Sequence, residues 1–420
     1  MELASSNNFT RAGLTSFFVI ALSALITFIS HIVLARFLTP SDFGLFILSL
    51  SWLHILVMLG CLGFNTANLK FIPQLTTKQK QYRRFAAQNS FCASMFIAAV
   101  FLLMLTLIKP SLNYTLYLGL SLTAVLIPLR VYSQLSLSAL RAKRLIFLAQ
   151  FPEGILRPIL FLLCIVGVYS FSSLNAIRAI GLNIGLHFII VFIYFLLIQK
   201  YFKENPFSIT RDELENESAW LKTALTMMGM SVSLLIFQKA DLIIFRLYMP
   251  AHETGIYAAL VTLSSLFYMG SNTIAIALNP MIAALDQQKD RLKLQSLFNQ
   301  ARLLQSIGFG SGFLIILFFG QDILSLYGAD YIEGKTALII IAGLFFASCL
   351  FGPSMMYALI RGHHRLSALI VSISAVTTIS LLILLIPTYG MIGAAIATGC
   401  GWFLMQATFY ISVKRTRIIS

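Results

Sequence analysis

Charge is scarce in this chain. Only 11% of its 420 residues are Asp, Glu, Lys or Arg, against about 25% in soluble domains, so the protein cannot cover itself with a polar surface. Acid is scarcer still, with 15 Asp and Glu against 30 Lys and Arg, a formal net charge of +15. The five cysteines, Cys61, Cys92, Cys164, Cys349 and Cys400, stand singly in apolar segments without metal or disulfide spacing, and read as small buried hydrophobes. The sequence holds no Walker motif, no other glycine-rich phosphate loop and no HExxH. An ATPase, a metal centre and a resident cofactor are therefore not expected. Short segments of alternating polarity, which a membrane β-barrel needs, are also missing.

What the chain has instead is apolar length. Hydrophobic residues make up 58% of it, in recurring runs of roughly 20 or more, each enough to cross about 30 Å of hydrocarbon. The pattern predicts an all-α polytopic membrane protein with about twelve spans, near 13–36, 43–69, 86–108, 115–140, 145–169, 175–199, 224–248, 255–284, 303–319, 337–360, 366–386 and 391–412. The first run, starting near Ala12, is too long for a signal peptide and reads as a retained span.

Loop charge orders these spans. Even-numbered loops are basic: Lys78, Lys80, Arg83 and Arg84; Arg141, Lys143 and Arg144; Lys200 and Lys203; Lys289, Arg291 and Lys293; Arg361 and Arg365. The tail adds Lys414, Arg415 and Arg417, whereas odd-numbered loops are short or acidic, as at Asp42, Glu253, Asp322, Asp330 and Glu333. The positive-inside rule then places both termini in the cytoplasm, with anionic membrane lipids as partners of the basic loops. Nucleic acid is not expected, because the bases are scattered between spans and not massed on one face.

A long-period echo divides the chain. His31-Ile32-Val33-Leu34-Ala35-Arg36 leads to Pro40 and Gly44, as Asp241-Leu242-Ile243-Ile244-Phe245-Arg246 leads to Pro250 and Gly255. A second pair follows, with Ala139-Leu140-Arg141-Ala142-Lys143-Arg144 resembling Ala358 to Arg365, and Asn68 echoes Asn279. Two echoes in one order indicate duplication. The expected organisation is a six-helix bundle over 1–199, a cytoplasmic linker over 200–223 and a second bundle over 224–420, the two being parallel repeats. Ser41-Asp42 and Glu253-Thr254 offer N-caps after the echoed turns. Gly181 with Gly185, and Gly308 with Gly312, form GxxxG spacings suited to close helix packing.

A few charges lie deep in spans. Arg130, Arg157 and Lys239 sit near the centres of the fourth, fifth and seventh, where each costs at least about 2.5–3.5 kcal/mol unless it has a partner or a task. Glu153, four before Arg157, is placed to pair with it, whereas Asp241, two after Lys239, projects to the opposite side. One positive charge is left over. Either these bases are structural, snorkelling or paired between helices, or they form a central-cavity site for an anion such as a pyrophosphate diester. Pro152 and Pro158 bracket this part of the fifth helix and are expected to free backbone groups. His31 and Asp241, matched by the repeat and each five before an arginine (Arg36, Arg246), are candidates for an outer gate or ion-coupling pair. The alternative is local pairing of Asp241 and a satisfied interfacial histidine.

These residues also carry a likeness. Leu34 to Gly44, Asp241 through Tyr257, Leu326-Tyr327-Gly328-Ala329-Asp330-Tyr331 and Ile386 to Thr398 resemble, in order, signatures of the polysaccharide-transporter (Wzx-type) flippases. Those proteins belong to the multidrug/oligosaccharidyl-lipid/polysaccharide exporter superfamily, and the likeness spans essentially the whole chain. It implies a MATE-like, V-shaped pair of bundles working by alternating access in the bacterial cytoplasmic membrane. The implied substrate is a polyprenyl (undecaprenyl) pyrophosphate-linked oligosaccharide for O-antigen, capsule or other surface polysaccharide. The polysaccharide polymerase and chain-length machinery are the implied partners. Few acidic residues in the spans depart from an ion-coupled pattern. Two rivals remain: a cation-coupled multidrug antiporter of the same fold, which would want surplus acid in its cavity, and a membrane enzyme of polysaccharide assembly. The longest outer loop, about 320–336, is too short to fold as a catalytic domain.

Overall fold

The structure is a computed structural model, and it describes residues 21–75, 78–171, 173–202, 217–266, 282, 285 and 291–415. Among them there is helix and no strand. In order the helices are α1 (Ala21–Phe37), α2 (Pro40–Gly60), α3 (Phe64–Gln74), α4 (Gln79–Ile108), α5 (Tyr114–Ala142), α6 (Ile146–Phe171), α7 (Ala176–Phe202) and α8 (Glu217–Tyr248). Then come α9 (251–266), α10 (Arg291–Ser325), α11 (Lys335–Cys349), α12 (Ser354–Ile360) and α13 (His364–Arg415). Nine helical stretches among the described residues are long and apolar enough to cross a membrane.

The last of these is two crossings. Its 52 residues would span about 78 Å at 1.5 Å per residue, more than twice the hydrocarbon thickness. Gly390 breaks it with φ 53° and ψ −128°, a conformation open to glycine and costly for a residue with a Cβ. A carbon added to Gly393 would strike the Leu385 carbonyl, and one on Gly401 would strike the Thr378 hydroxyl. Both pairs centre on the same turn, so α13 is an antiparallel hairpin. Counted so, the described residues hold ten crossings, and α1 and α9 adjoin residues outside the described set.

Helix ends differ from expectation wherever polar residues flank an apolar run. α4 starts at Gln79, and α8 and α10 are already helical at Glu217 and Arg291, the first described residues of each, because Gln, Lys, Arg and Glu propagate helix well once it is nucleated. The expected second span is interrupted at Gly63, whose φ of 80° starts α3 in a new direction. A Cβ there would meet the carbonyl of Ala224. The N-cap of α2 is Thr39, not Ser41 or Asp42. Its hydroxyl accepts from the Asp42 N–H at 3.2 Å and donates to the Asp42 carboxylate at 3.1 Å, a reciprocal capping arrangement. Thr254 lies inside the first turn of α9 and donates to the Pro250 carbonyl at 2.8 Å. The expected linker falls mostly on residues 203–216, outside those described.

The chain forms two compact units. The first comprises residues 25–30 and 45–235, and the second 31–44 and 236–420 together with the start of the chain. In the first, Leu53, Cys61, Phe64, Tyr82, Ile127, Leu140 and Tyr194 form a buried core, and Trp220 at the head of α8 packs edge-on against Tyr82 at 5.3 Å. In the second, Trp402 sits 5.0 Å from Phe237 and 5.5 Å from Phe345. Outward residues such as Phe96, Leu107 and Phe171 are largely exposed, as suits lipid-facing surface. Within a bilayer such cores are held by close packing, since lipid is as apolar as leucine.

Packing glycines are not those the spacing singled out. A carbon added to Gly181, Gly185 or Gly308 meets nothing within 4 Å, because these positions face outward. The tight contact lies instead between the echoed turns of the second unit. A Cβ on Gly44 would stand 2.7 Å from the Gly255 nitrogen, and one on Gly255 would collide with Pro40. The two copies of the turn therefore lie backbone against backbone. All five cysteines are free, but only Cys61 and Cys349 are buried, and Cys92 is exposed; a thiol is apolar enough for a lipid-facing position.

Candidate functional site

The deep charges of the first unit meet at one carboxylate. Glu153 lies on α6 where the helix widens into a π-segment over Phe151–Leu156. Pro152 and Pro158 account for the distortion, since neither has an N–H to donate to the preceding turn. Side chains collect nearby carbonyls: the Tyr194 hydroxyl donates to Ala149 O at 2.7 Å, and the Ser30 hydroxyl lies 3.4 Å from Pro158 O.

Around Glu153 three cationic or protonatable side chains converge. Arg130, on α5, pairs with its Oε1 through Nη1. Arg157 Nε stands 3.0 Å from the same oxygen, one turn along α6. His187 Nε2, on α7, is 3.9 Å away, outside hydrogen-bond range. A second tie fixes Arg157, whose Nη1 donates to Asn183 Oδ1 at 3.3 Å. His187 Nδ1 donates to the Asn183 carbonyl at 2.7 Å, which assigns the ring proton to Nδ1 and leaves Nε2 turned toward the carboxylate. Arg130 is 8% exposed and His187 1%.

Two guanidiniums share one carboxylate. Among the described residues no second acid lies within ion-pair distance of either arginine, so one positive charge is left over at low dielectric. The other Glu153 oxygen has no hydrogen-bond partner. Such a cluster can release one guanidinium face to an oxyanion while the carboxylate holds the remainder in place.

Lys239 belongs to the second unit, in α8. Among the described residues no ion pair joins it to a carboxylate, and Asp241 two residues on turns elsewhere. Asp241 is 4% exposed. Its Oδ1 accepts the Leu242 N–H at 2.8 Å, and its Oδ2 lies 3.4 Å from the Tyr257 hydroxyl. That hydroxyl is also 3.4 Å from Thr398 Oγ1 on α13, and the Tyr257 ring stacks on Phe245 at 4.5 Å. His31 sits 6.5 Å from the Phe43 ring in an edge contact.

The echoed arginines occupy matching roles. Arg36 Nε donates to the Leu326 carbonyl at 2.7 Å, with Nη2 3.4 Å from Ser325 O, at the end of α10. Arg246 Nη1 donates to Met249 O at 2.9 Å, at the end of α8. Each cation caps the negative end of a helix.

His187, Asn183, Tyr257 and Thr398 were not singled out from sequence. Their signal was faint but present: polar side chains on the buried stripe of helices otherwise apolar, as with Asn183, His187 and Tyr194 on α7.

The family is decided by sequence. A family model described as "Polysaccharide biosynthesis protein" matches residues 10–286. The chain belongs to that family. No curated protein sequence matches it. Solved structures show that this polysaccharide biosynthesis protein has the fold of the multidrug/oligosaccharidyl-lipid/polysaccharide exporter superfamily. A multidrug resistance MATE family transporter in an inward-facing conformation is 14% identical, with 97% of this chain and 98% of that one covered and a TM-score of 0.74. The lipid II flippase MurJ, in an inward closed conformation, is 14% identical over 96% of this chain and 87% of that one, with a TM-score of 0.78. A superfamily transporter from Pyrococcus furiosus, described as having a binding pocket of reversed polarity, is 14% identical, covers 97% and 96%, and scores 0.63. By family and fold the chain is thus a multi-pass membrane protein of the polysaccharide biosynthesis family, built on the fold of these transporters and flippases.

Proposed function

We propose that the protein flips polyprenyl pyrophosphate-linked oligosaccharide repeat units across the cytoplasmic membrane for surface polysaccharide biosynthesis, by alternating access. The observation that carries this reading is the surplus positive charge held around Glu153 by Arg130 and Arg157, in a chain of the polysaccharide biosynthesis family. A pyrophosphate diester suits that surplus, because its oxygens accept bidentate bonds from guanidinium. Lys239 is the second unit's own candidate substrate-binding cation. A multidrug antiporter handling organic cations is disfavoured by the same surplus. Deletion in the source organism tests the reading: surface polymer is lost and carrier-linked repeat units accumulate inside. Normal surface polymer in the deletion strain excludes it.

Segments 1–199 and 224–420 are the two copies of a duplicated bundle, joined by 200–223, with both termini in the cytoplasm. The alternation of basic and acidic loops supports that orientation. A reporter fused after Ser420 is active when it is one that works only in the cytoplasm. Activity of a periplasm-only reporter at that position reverses the topology.

Asp241 is the coupling carboxylate, with His31 its counterpart in the repeat. A buried acid contacted by the Tyr257 hydroxyl, which itself meets Thr398, is suited to exchanging a proton or a small cation as its surroundings open. Asp241→Asn removes the charge at constant shape. Transport in that variant loses its dependence on pH and on sodium; dependence unchanged from the wild type removes Asp241 from the coupling.

A further inference from the structure

Asn183 meets two members of the Glu153 cluster from one position on α7. Its Oδ1 accepts from Arg157 Nη1 at 3.3 Å, and its main-chain carbonyl accepts from His187 Nδ1 at 2.7 Å. We infer that Asn183 sets the charge selectivity of this site: it orients Arg157 through a neutral acceptor, and so leaves standing the positive charge that an anionic substrate requires. Within the reading above, in which the cluster binds the pyrophosphate of the substrate and on which this inference rests, Asn183 is the residue that keeps the site open to an anion.

An aspartate would fit the same place. Asn183 is 1% exposed, on the buried stripe of α7 that also carries His187 and Tyr194. Asparagine and aspartate share length and nearly share shape, and either can present an oxygen to a guanidinium, which has N–H groups to donate and nothing that accepts. They differ in charge. An aspartate here would be a second counter-ion, giving two acids for Arg130 and Arg157, and with His187 neutral the site would carry no net charge. The surplus that asparagine leaves is costly in a span, so the native side chain is the less stable of two that fit. Local departures of this kind from the most stable choice belong to functional sites.

Geometry makes Arg157 the cation on which the choice acts. Its side chain is 19% exposed, against 9% for Arg130 and 12% for Glu153, so a ligand reaches it before the others. Nε faces Glu153 Oε1 at 3.0 Å and Nη1 is tied to Asn183. Nη2 makes no hydrogen bond among the described residues. Because the guanidinium is planar, holding two of its nitrogens fixes the direction of the third. That third nitrogen is the one left to donate to an oxyanion, from a plane set on one side by an acid and on the other by an amide. With acids on both sides the donor would keep its direction, but its charge would be cancelled.

Comparing an anion with its neutral counterpart on one tail tests this. Full-length protein in detergent is titrated with geranylgeranyl pyrophosphate or geranylgeraniol, and its melting temperature is measured without ligand. Wild type binds the pyrophosphate about tenfold or more tightly than the alcohol, the scale of one charge-assisted contact. Asn183→Asp brings that preference close to unity and raises the melting temperature, because a buried charge is neutralised. Asn183→Ala keeps the charge and loses the orientation, so its preference falls below that of the wild type and stays above that of Asn183→Asp. The main-chain bond to His187 survives in both variants. A side chain that only packed α7 against α6 would lower affinity and melting temperature together, so the opposed shifts in Asn183→Asp mark a selectivity role. A wild-type preference retained by Asn183→Asp overturns the inference and leaves the substrate reading standing. The same holds for a preference lost together with a lower melting temperature, and for a preference in Asn183→Ala no higher than in Asn183→Asp. No preference for the pyrophosphate in the wild type overturns the substrate reading, and this inference with it.

Discussion

Arg157→Gln abolishes export of surface glycan while the protein stays inserted at its normal level. The side chain bridges Glu153 Oε1 and Asn183 Oδ1, and its charge is the one the cluster does not neutralise. Glutamine keeps much of the length and some hydrogen bonding but removes the charge. Arg130 and Glu153 remain as a balanced pair, so the fold is relieved of charge and not burdened with it. The substrate loses one charge-assisted contact of about 1.5–3 kcal/mol, on the order of ten- to hundred-fold in affinity. Arg130→Gln and Lys239→Gln lose export for the same reason. Quantifying surface polymer, with the protein level measured in parallel by immunoblot of membranes, checks the prediction. If all three variants export normally, or fail only because the protein is lost, there is no basic substrate site at these positions.

The cluster was half legible in the sequence. Arg130, Glu153 and Arg157 stand out because formal charge is expensive in an apolar span, and the i, i+4 spacing of Glu153 and Arg157 announces their contact. That Arg130 reaches the same carboxylate is a fact of tertiary packing between α5 and α6, which no periodicity within either helix encodes. His187 and Asn183 carry no obligatory charge and sit among apolar neighbours, so they are drowned by the hydrophobic signal that identifies α7 itself. The two prolines are visible, whereas the π-segment between them is a property of how the helix is seated.

The same division runs through the fold. Spans show wherever polar loops separate apolar runs, and the turn at Gly390 shows because Pro387 and Gly390 punctuate the run. The break at Gly63 does not, since Gly60-Cys61-Leu62-Gly63 is as apolar as its surroundings and the carbonyl that leaves no room for a side chain there, that of Ala224, lies far along the chain. The echo of the two turns is legible as duplication. Their contact through Gly44 and Gly255 is visible only in three dimensions, and it explains why both copies carry a glycine although the offset from the proline differs by one residue.

Glu153→Gln has the opposite signature to Arg157→Gln: it lowers the amount of folded protein first. The amide preserves the shape of the carboxylate, but Arg130 and Arg157 then share a buried site without a counter-ion, with His187 3.9 Å from the same atom. Removing one partner of a buried ion pair costs about 3–5 kcal/mol, a large part of what holds a protein folded. Steady-state level in the membrane and apparent melting temperature in detergent both fall. Charge bookkeeping predicts the rescue. Glu153→Gln combined with Arg157→Gln returns the site to a single positive charge, the wild-type balance, and recovers level and melting temperature. Stability in Glu153→Gln equal to that of the wild type, or a double variant no more stable than Glu153→Gln alone, shows that the carboxylate is not the counter-ion of these arginines.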